Sequence, residues 1–289
     1  MKLTLDIPSD VEALKALVCE QWDGAAEGWD HHEASIGRWL NDVTAAMIDL
    51  AAIAPGASVL DLAAGTGAQS VEIAKRVTKS GRVVATDLSP ASVDVAKRRL
   101  GALAQDSVSA MVADIEALPF DDGTFDAVTC RLGLMFLPRP SVGLAEMRRV
   151  LHPTGRAVSV VFSRHERNPC ITTLMRVASA QAGMAPPDPD RPGGLLSLGA
   201  SGLLARLYSE AGFSRVHEIV VSAPFRMPSA RAYVDFVRDA AAPVVAILSR
   251  LPEDHRLTAY ERIERELEVF RTNDGWEGPN ELVLVWGEA

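Results

Sequence analysis

The sequence predicts an α/β protein built on a doubly wound, mostly parallel sheet. Between residues 57 and 163, short runs rich in valine alternate with helical stretches. Continuous apolar runs of strand length are typical of strands buried on both faces, and the intervening helices supply the covers. The predicted strands are residues 58–62, 82–86, 107–113, 125–130 and 156–162.

Composition and charge narrow the function classes. The 289 residues include 29 basic and 38 acidic ones, so the net charge of -9 disfavours nucleic acid and anionic membranes as partners. The 48% hydrophobic content is sufficient for a large core. No apolar run approaches the roughly 20 residues that span a bilayer. The first residues lack the apolar stretch of a secretory signal, so we expect a cytoplasmic protein without a membrane span.

Three separated cysteines without CxxC spacing predict neither disulfides nor a metal site: Cys19, Cys130 and Cys170.

Residues 1–55 are predicted to form a helical cover. A short helix over residues 11–22 precedes a polar connector at residues 28–32. A second helix ends at Pro55-Gly56, and apolar residues recur along it at spacings of four and three, which places them on one face. These residues are Ile36, Leu40, Val43, Met47 and Leu50.

Residues 56–163 form the predicted binding core, and residues 164–289 add cover insertions and the last strands of a single catalytic domain. Prolines and a Gly-Gly pair in residues 164–198 predict a stiff, non-helical loop. Helices are predicted over residues 202–211, 229–251 and 253–270, with strands at 215–222 and 281–286. The prolines are Pro186, Pro187, Pro189 and Pro192.

The most informative segment is a strand that ends in a glycine turn and opens a helix, residues 58–70. Gly65 and Gly67 allow a tight turn and close approach of a ligand at the carboxyl end of the sheet, where open α/β folds bind. The segment therefore predicts a nucleotide-type site, although a GxG pattern alone is weak evidence.

Two carboxylates follow the next strands. Asp87 lies 20 residues after Gly67, where it can accept both ribose hydroxyls of an adenosine cofactor. Asp114 follows the third strand, where it can accept the adenine amine. Ser70 replaces the third glycine of GxGxxG, and the anion of Asp61 would repel a pyrophosphate but attract an ammonium. These features favour S-adenosylmethionine over NAD.

With these motifs the sequence resembles the class I S-adenosylmethionine-dependent methyltransferases, specifically the small-molecule enzymes of the ubiquinone/menaquinone-biosynthesis type. The resemblance covers about residues 28–163 and implies a seven-stranded, Rossmann-like methyltransferase fold. It rests on five segments: residues 59–67, 86–89, 113–120, 125–128 and 146–156.

The resemblance also implies roles for individual residues at the cofactor. Gly65, Thr66 and Gly67 belong to the turn along the methionine and ribose, and Ala63 stands where the family often has glycine. Asp61 would organise this turn and the ammonium. Leu88 and Ile115 would sandwich the adenine, with Asp114 at its amine and Asp87 at the ribose, and Arg131 would reach the cofactor carboxylate or offer backbone contacts.

Methyl transfer needs a base only if the acceptor carries a proton. His31 and His165 are the candidate catalytic bases, with His32 beside the first. Aromatic and apolar residues are candidates for the wall of an acceptor pocket: Trp22, Trp29, Met135, Phe136, Met175, Leu195, Leu196 and Leu198. Trp39 is considered with them, but core packing explains it better, because it neighbours the apolar face of its helix.

We therefore expect an enzyme that moves a methyl group from S-adenosylmethionine to a small, largely apolar acceptor, at oxygen, nitrogen or carbon. The alternative is a cofactor-bound protein that catalyses a non-methylating rearrangement or acts as a binding module. An NAD-dependent oxidoreductase is disfavoured by Ser70 and Asp61. The sequence leaves the acceptor and the oligomeric state open.

Overall fold

A seven-stranded sheet forms the centre of the protein, whose computed structural model describes residues 10–185, 188–189 and 191–289. The strand order is β3-β2-β1-β4-β5-β10-β6. The first five strands are parallel, and β10 runs antiparallel to both of its neighbours. The sheet consists of β1 (Ser58–Leu62), β2 (Arg82–Asp87), β3 (Val108–Val112), β4 (Phe125–Arg131), β5 (Leu151–Phe162), β6 (Ser214–Ser222) and β10 (Glu281–Glu288). The predicted fold class is confirmed.

A small three-stranded sheet and ten helices complete the described chain. The small sheet has the order β7-β9-β8 and consists of β7 (Phe225–Met227), β8 (Arg271–Thr272) and β9 (Gly275–Gly278). The helices are α1 (Val11–His31), α2 (Glu33–Leu50), α3 (Ala68–Val77), α4 (Pro90–Gly101), α5 (Pro140–Arg149), α6 (Pro169–Gln181), α7 (Leu203–Glu210), α8 (Ala230–Ala240), α9 (Ala242–Leu248) and α10 (Glu253–Leu267). Within the described ranges no helix is both long and apolar enough to cross a membrane.

The local sequence explains why strand β1 is buried and why helix α4 begins where it does. Val59, Leu60 and Leu62 of β1 are fully buried, as expected for a strand covered on both faces. Helix α4 begins at Pro90, and the side chain of the N-cap Ser89 accepts a hydrogen bond from the backbone N–H of Ser92. Because β1 to β4 are parallel, their carboxyl ends meet at one edge of the sheet.

Three predictions about the covers were wrong. The connector at residues 28–32 lies largely inside α1, which runs without a break to His31. Residues 164–198 contain the 13-residue helix α6. The helix expected at residues 229–251 is divided into α8 and α9 around Ala241, next to Pro243. The residues before Asp10, and Pro186 and Pro187 of the predicted loop, lie outside the described residues. The division at residues 55 and 163 stays a prediction.

Helix α1 packs against α4 of the core and against α8 and α9 of the cover. Its closest approach to α8 is at Gly28, where an added Cβ would lie 1.9 Å from the carbonyl oxygen of Asp239. Trp29 donates a 2.8 Å hydrogen bond from Nε1 to the carbonyl of Ala240. Glycine at position 28 therefore allows α1 to pack closely against α8. The segment predicted to be a connector is part of this packed helix.

We expect Gly28→Ala to reduce the free energy of unfolding by about 1–3 kcal/mol, because the methyl group meets backbone atoms that cannot rotate away. Gly24→Ala is the matched control, since a Cβ there has nothing within 4 Å. It should be neutral or stabilise by about 0.5–1 kcal/mol through helix propensity. Urea denaturation of both variants measures the difference, and equal effects would contradict the proposed close packing of α1 and α8.

Candidate functional site

A cavity opens at the edge where β1 to β4 end. The turn between β1 and α3 forms part of its wall through Ala63, Ala64, Gly65 and Thr66. Gly65 has a φ of +56°, and a Cβ on it would meet nothing within 4 Å. Gly67 has a φ of +81° and packs against Ala96 of α4 outside the cavity lining. The turn thus presents bare backbone to the cavity at Gly65.

The carboxylate of Asp61 holds this turn from behind. Asp61 is fully buried and does not line the cavity. It accepts hydrogen bonds from the Ser70 hydroxyl (2.5 Å), the Thr129 hydroxyl (2.8 Å) and the Gln69 amide. Burial raises the pKa of the carboxyl, whereas these three donors and the charge of Arg131 lower it. The geometry of Asp61 therefore matches the turn-organising part of its predicted role.

Ser70 has a function that sequence reasoning missed. At this position a third glycine is the usual signature of a pyrophosphate site, and Ser70 was considered only as a departure from that signature. In the structure its side chain is buried and donates to Asp61. The available signal was the spacing of nine residues between a strand aspartate and a hydroxyl in the first turn of the next helix.

Asp87 ties the end of β2 to the glycine turn. Its Oδ2 accepts a 2.9 Å hydrogen bond from the backbone N–H of Gly65, and its Oδ1 accepts one of 2.9 Å from that of Ser89. Burial raises the pKa of the carboxyl, and the backbone donors oppose that shift. Asp87 and Leu88 both line the cavity, and their roles at an adenosine stay predictions.

Asp114 and Ile115 line the cavity after the end of β3. The Oδ1 atom of Asp114 accepts a 2.8 Å hydrogen bond from the backbone N–H of Glu116. Its Oδ2 atom lies 2.6 Å from Nζ of Lys15, a cavity-lining residue of α1 that the sequence analysis did not consider. The pairing joins residues 99 positions apart, so no local motif could have indicated it.

Arg131 is the last residue of β4 and brings a cation to the cavity wall. Its Nη1 donates a 2.5 Å hydrogen bond to the hydroxyl of Thr44. Burial lowers the pKa of Arg131 to about 10, so the guanidinium remains charged at neutral pH. Among the described residues no carboxylate oxygen lies within 4.0 Å of it. We call Gly65, Asp87, Asp114 and Arg131 the polar edge.

Much of the remaining cavity lining is apolar and rich in aromatic rings. Trp22 contacts Trp29 and Phe136 edge to face, with ring centroids 5.8 and 5.3 Å apart. The ring of Trp39 lies tilted against that of Phe225, with centroids 3.9 Å apart, and its Nε1 donates to the carbonyl of Ala223. We call this region the aromatic compartment; its aromatic lining is Trp22, Trp29, Trp39, Phe136, Phe162, Phe225, Tyr233 and Phe236.

The aromatic compartment and the polar edge share one cavity. Its empty space, including the open mouth, is about 1650 Å³. Met135 and Leu195 of the predicted wall line it, whereas Met175, Leu196 and Leu198 do not. The rings from β5, β7 and α8 were not predicted, because nothing in their local sequence indicates that these distant segments converge.

The two histidines proposed as bases lie away from the cavity lining. His31 is the exposed last residue of α1, and its ring contacts His32, which pairs with Asp239. His165 is also exposed, in a short turn after β5, with Glu166 3.5 Å away. The structure therefore gives no support to their proposed catalytic roles.

No group of three or more His, Cys, Asp or Glu side chains suited to a metal ion occurs in the described part of the chain.

Comparisons with known proteins show what this chain is similar to. Residues 36–178 match the model of the ubiE/COQ5 methyltransferase family. A demethylmenaquinone methyltransferase of Clavibacter sepedonicus is 38% identical over 159 residues, which are 54% of this chain and 62% of that protein. A ubiquinone/menaquinone biosynthesis C-methyltransferase UbiE of Paraburkholderia xenovorans is 40% identical over 113 residues, 39% of this chain and 46% of that protein. The chain thus spans about half the length of the curated relatives it matches.

A solved structure extends the likeness in fold beyond the matched segment. The YcgJ protein of Bacillus subtilis superposes with a TM-score of 0.58 and 18% sequence identity, over 86% of this chain and 98% of that one. In its fold and its glycine turn, the chain is similar to the class I S-adenosylmethionine-dependent methyltransferases. Within that class, the segment of residues 36–178, about half of the chain, is similar to the ubiE/COQ5 methyltransferase family.

We expect Asp61→Ala to reduce the free energy of unfolding by about 3 kcal/mol or more, because three buried donors lose their acceptor. Asp49→Ala is the matched control: its carboxylate pairs with Arg76 on the surface, at 2.6 Å with both side chains exposed. That variant should lose no more than about 1 kcal/mol. Urea denaturation of both proteins tests this, and similar losses would show that the buried network contributes no more than a surface pair.

Proposed function

We propose that this protein is an enzyme that transfers the methyl group of S-adenosylmethionine to a small, largely apolar acceptor. The observation that carries the proposal is that a single cavity joins the polar edge to the aromatic compartment. A charged amino-acid cofactor and an apolar acceptor need opposite surroundings, and methyl transfer needs them in contact. This arrangement supports both binding requirements at once.

The residues of the polar edge fit the cofactor. The open space at Gly65 leaves room for a ligand against the backbone, and Asp87 retains lone pairs for ribose hydroxyls beyond those used by Gly65 and Ser89. Arg131, which is partly buried and has no carboxylate partner among the described residues, suits the carboxylate of an amino acid. Leu88 and Ile115 offer apolar surfaces for the adenine. Asp61 would act on the ammonium only through the turn it supports.

The cofactor supplies an electrophilic methyl group on a sulfonium. The chain's contribution is to orient the acceptor and to exclude water, and orientation alone can lower a barrier by roughly 7 kcal/mol or more. The aromatic compartment provides flat apolar walls for this purpose. Its position next to the polar edge brings the acceptor's nucleophilic atom towards the cofactor without requiring either of the exposed histidines.

The acceptor that these walls suit best is a neutral aromatic or isoprenoid-like small molecule. The names of the two relatives refer to demethylmenaquinone and to ubiquinone and menaquinone biosynthesis, so a quinone-type ring is the acceptor we propose. Aromatic rings pack favourably edge to face or offset, as Trp22 already does with Phe136. The net charge of -9 disfavours nucleic acid as an acceptor.

Cofactor binding can be tested by calorimetric titration. We expect S-adenosylhomocysteine to bind at micromolar strength and NAD much more weakly. Asp87→Ala should weaken S-adenosylhomocysteine binding by about 1.5–3 kcal/mol, because hydrogen bonds to a charged acceptor are lost. Asp94→Ala is the control, since Asp94 is an exposed carboxylate of α4 paired only at 3.6 Å with Lys97. A preference for NAD, or equal affinities of the two variants, would contradict the assignment.

The reaction itself can be tested with methyl-labelled cofactor. Label should pass to a product extractable into organic solvent from a small-molecule extract, or to a demethylated quinol, with stoichiometric formation of S-adenosylhomocysteine. The yield should change little between two salt concentrations, whereas nucleic-acid substrates would respond steeply. Labelling confined to tRNA or bulk protein would overturn the acceptor class. Product formation without S-adenosylhomocysteine would favour the non-methylating alternative.

A further inference from the structure

Lys15 connects the cover helix α1 to the polar edge. Its Nζ lies 2.6 Å from Oδ2 of Asp114 and 3.0 Å from Oε2 of Glu116, and only 10% of its side chain is exposed. A lysine buried to this extent is costly unless its charge is paired. Lys15 also lines the cavity, together with Asp114 and Ile115.

The pairing matters more to Asp114 than to Glu116. Glu116 accepts hydrogen bonds from the backbone N–H of Arg139 (2.7 Å) and from its Nε and Nη2 atoms (3.0 and 2.8 Å). Asp114 has no cation other than Lys15 within 4.0 Å among the residues that the structure describes. Without Lys15, the Asp114 carboxylate would retain the backbone N–H of Glu116 as a donor but would have no paired cation, whereas Glu116 would keep Arg139.

We propose that Lys15 is a positioning residue through which the protein selects an adenine base over a purine that carries oxygen at the same position. The inference rests on the proposed function, in which Asp114 meets the exocyclic amine. Lys15 and the N–H of Glu116 each bind one carboxylate oxygen and fix its rotation. Each oxygen keeps a second lone pair that can accept from an amine. A carbonyl oxygen in place of the amine has no proton to donate and is repelled.

The test compares two ligands that differ at this edge of the base, S-adenosylhomocysteine and S-inosylhomocysteine. In the second ligand a carbonyl oxygen replaces the exocyclic amine, and the neighbouring ring nitrogen N1 carries a proton. Dissociation constants measured by calorimetry give a preference ratio for each variant. The wild type should prefer the adenine compound at least tenfold. Lys15→Met should lower the ratio at least fivefold, and Lys15→Arg should restore most of it.

Arg139→Met is the matched control, because it removes the other cation of the same cluster but leaves Lys15 on Asp114. Its ratio should remain within twofold of the wild type. Asp114→Ala removes the carboxylate and keeps Lys15, so it should lower the preference ratio as Lys15→Met does. If Lys15→Met does not fold, Asp114→Ala takes its place in the test. Thermal melting identifies variants that are unfolded.

The possible outcomes distinguish a failure of this inference from a failure of the proposed function. If Lys15→Met weakens both ligands by the same factor, Lys15 has only a structural role and the inference is wrong. A wild type that binds both ligands equally would likewise overturn the selection of adenine while leaving the proposed function in place. Failure of the wild type to bind either ligand would overturn the proposed function and this inference together.

Discussion

The polar edge depends on one buried charge, the carboxylate of Asp61. Removing a carboxylate from water costs several kcal/mol, and only well-placed donors offset that cost. The donors come from two other elements, with Gln69 and Ser70 in the first turn of α3 and Thr129 in β4. These elements cannot move relative to β1 without exposing an unpaired buried group. The turn between β1 and α3 is therefore held in place, and Gly65 is presented to Asp87 of β2.

Helix α1 contacts the segments that follow β2 and β3 through three side chains spaced four residues apart along the helix. Lys15 pairs with Asp114, Cys19 donates from Sγ to the carbonyl of Leu88 at 3.4 Å, and Asp23 accepts from the Ser89 hydroxyl and the backbone N–H of Ala91. A spacing of four places these side chains on one face of α1. Val18 and Trp22 of the same helix line the cavity. Any shift of α1 therefore displaces a residue of the polar edge and a wall of the aromatic compartment together.

Sequence alone was sufficient for the features whose causes are local. Valine runs identified the parallel strands, and Ser89-Pro90 identified the start of α4. Local signals failed where distant contacts decide the structure. Gly28 and the polar residues after it indicated a break in α1, yet Gly28 is the residue that lets the helix approach Asp239. Lys15 carried no signal either, because its partner lies in a different part of the chain. The residues assigned to the cofactor by motif line the cavity in most cases, whereas His31 and His165 were proposed without any motif and do not.

The contrast between local signals and contacts between distant segments also limits what the match to the family model says about the acceptor. The matched segment, residues 36–178, contains the whole polar edge. It excludes Trp22 and Trp29 of α1, and also Phe225, Tyr233 and Phe236 beyond its end, all of which line the aromatic compartment. The part of the chain similar to its relatives is thus the part that fits the cofactor, whereas much of the acceptor wall comes from segments outside the match. Because acceptor specificity depends on that wall, a different acceptor could be accommodated while the polar edge stayed unchanged. The acceptor must therefore be determined on this protein itself.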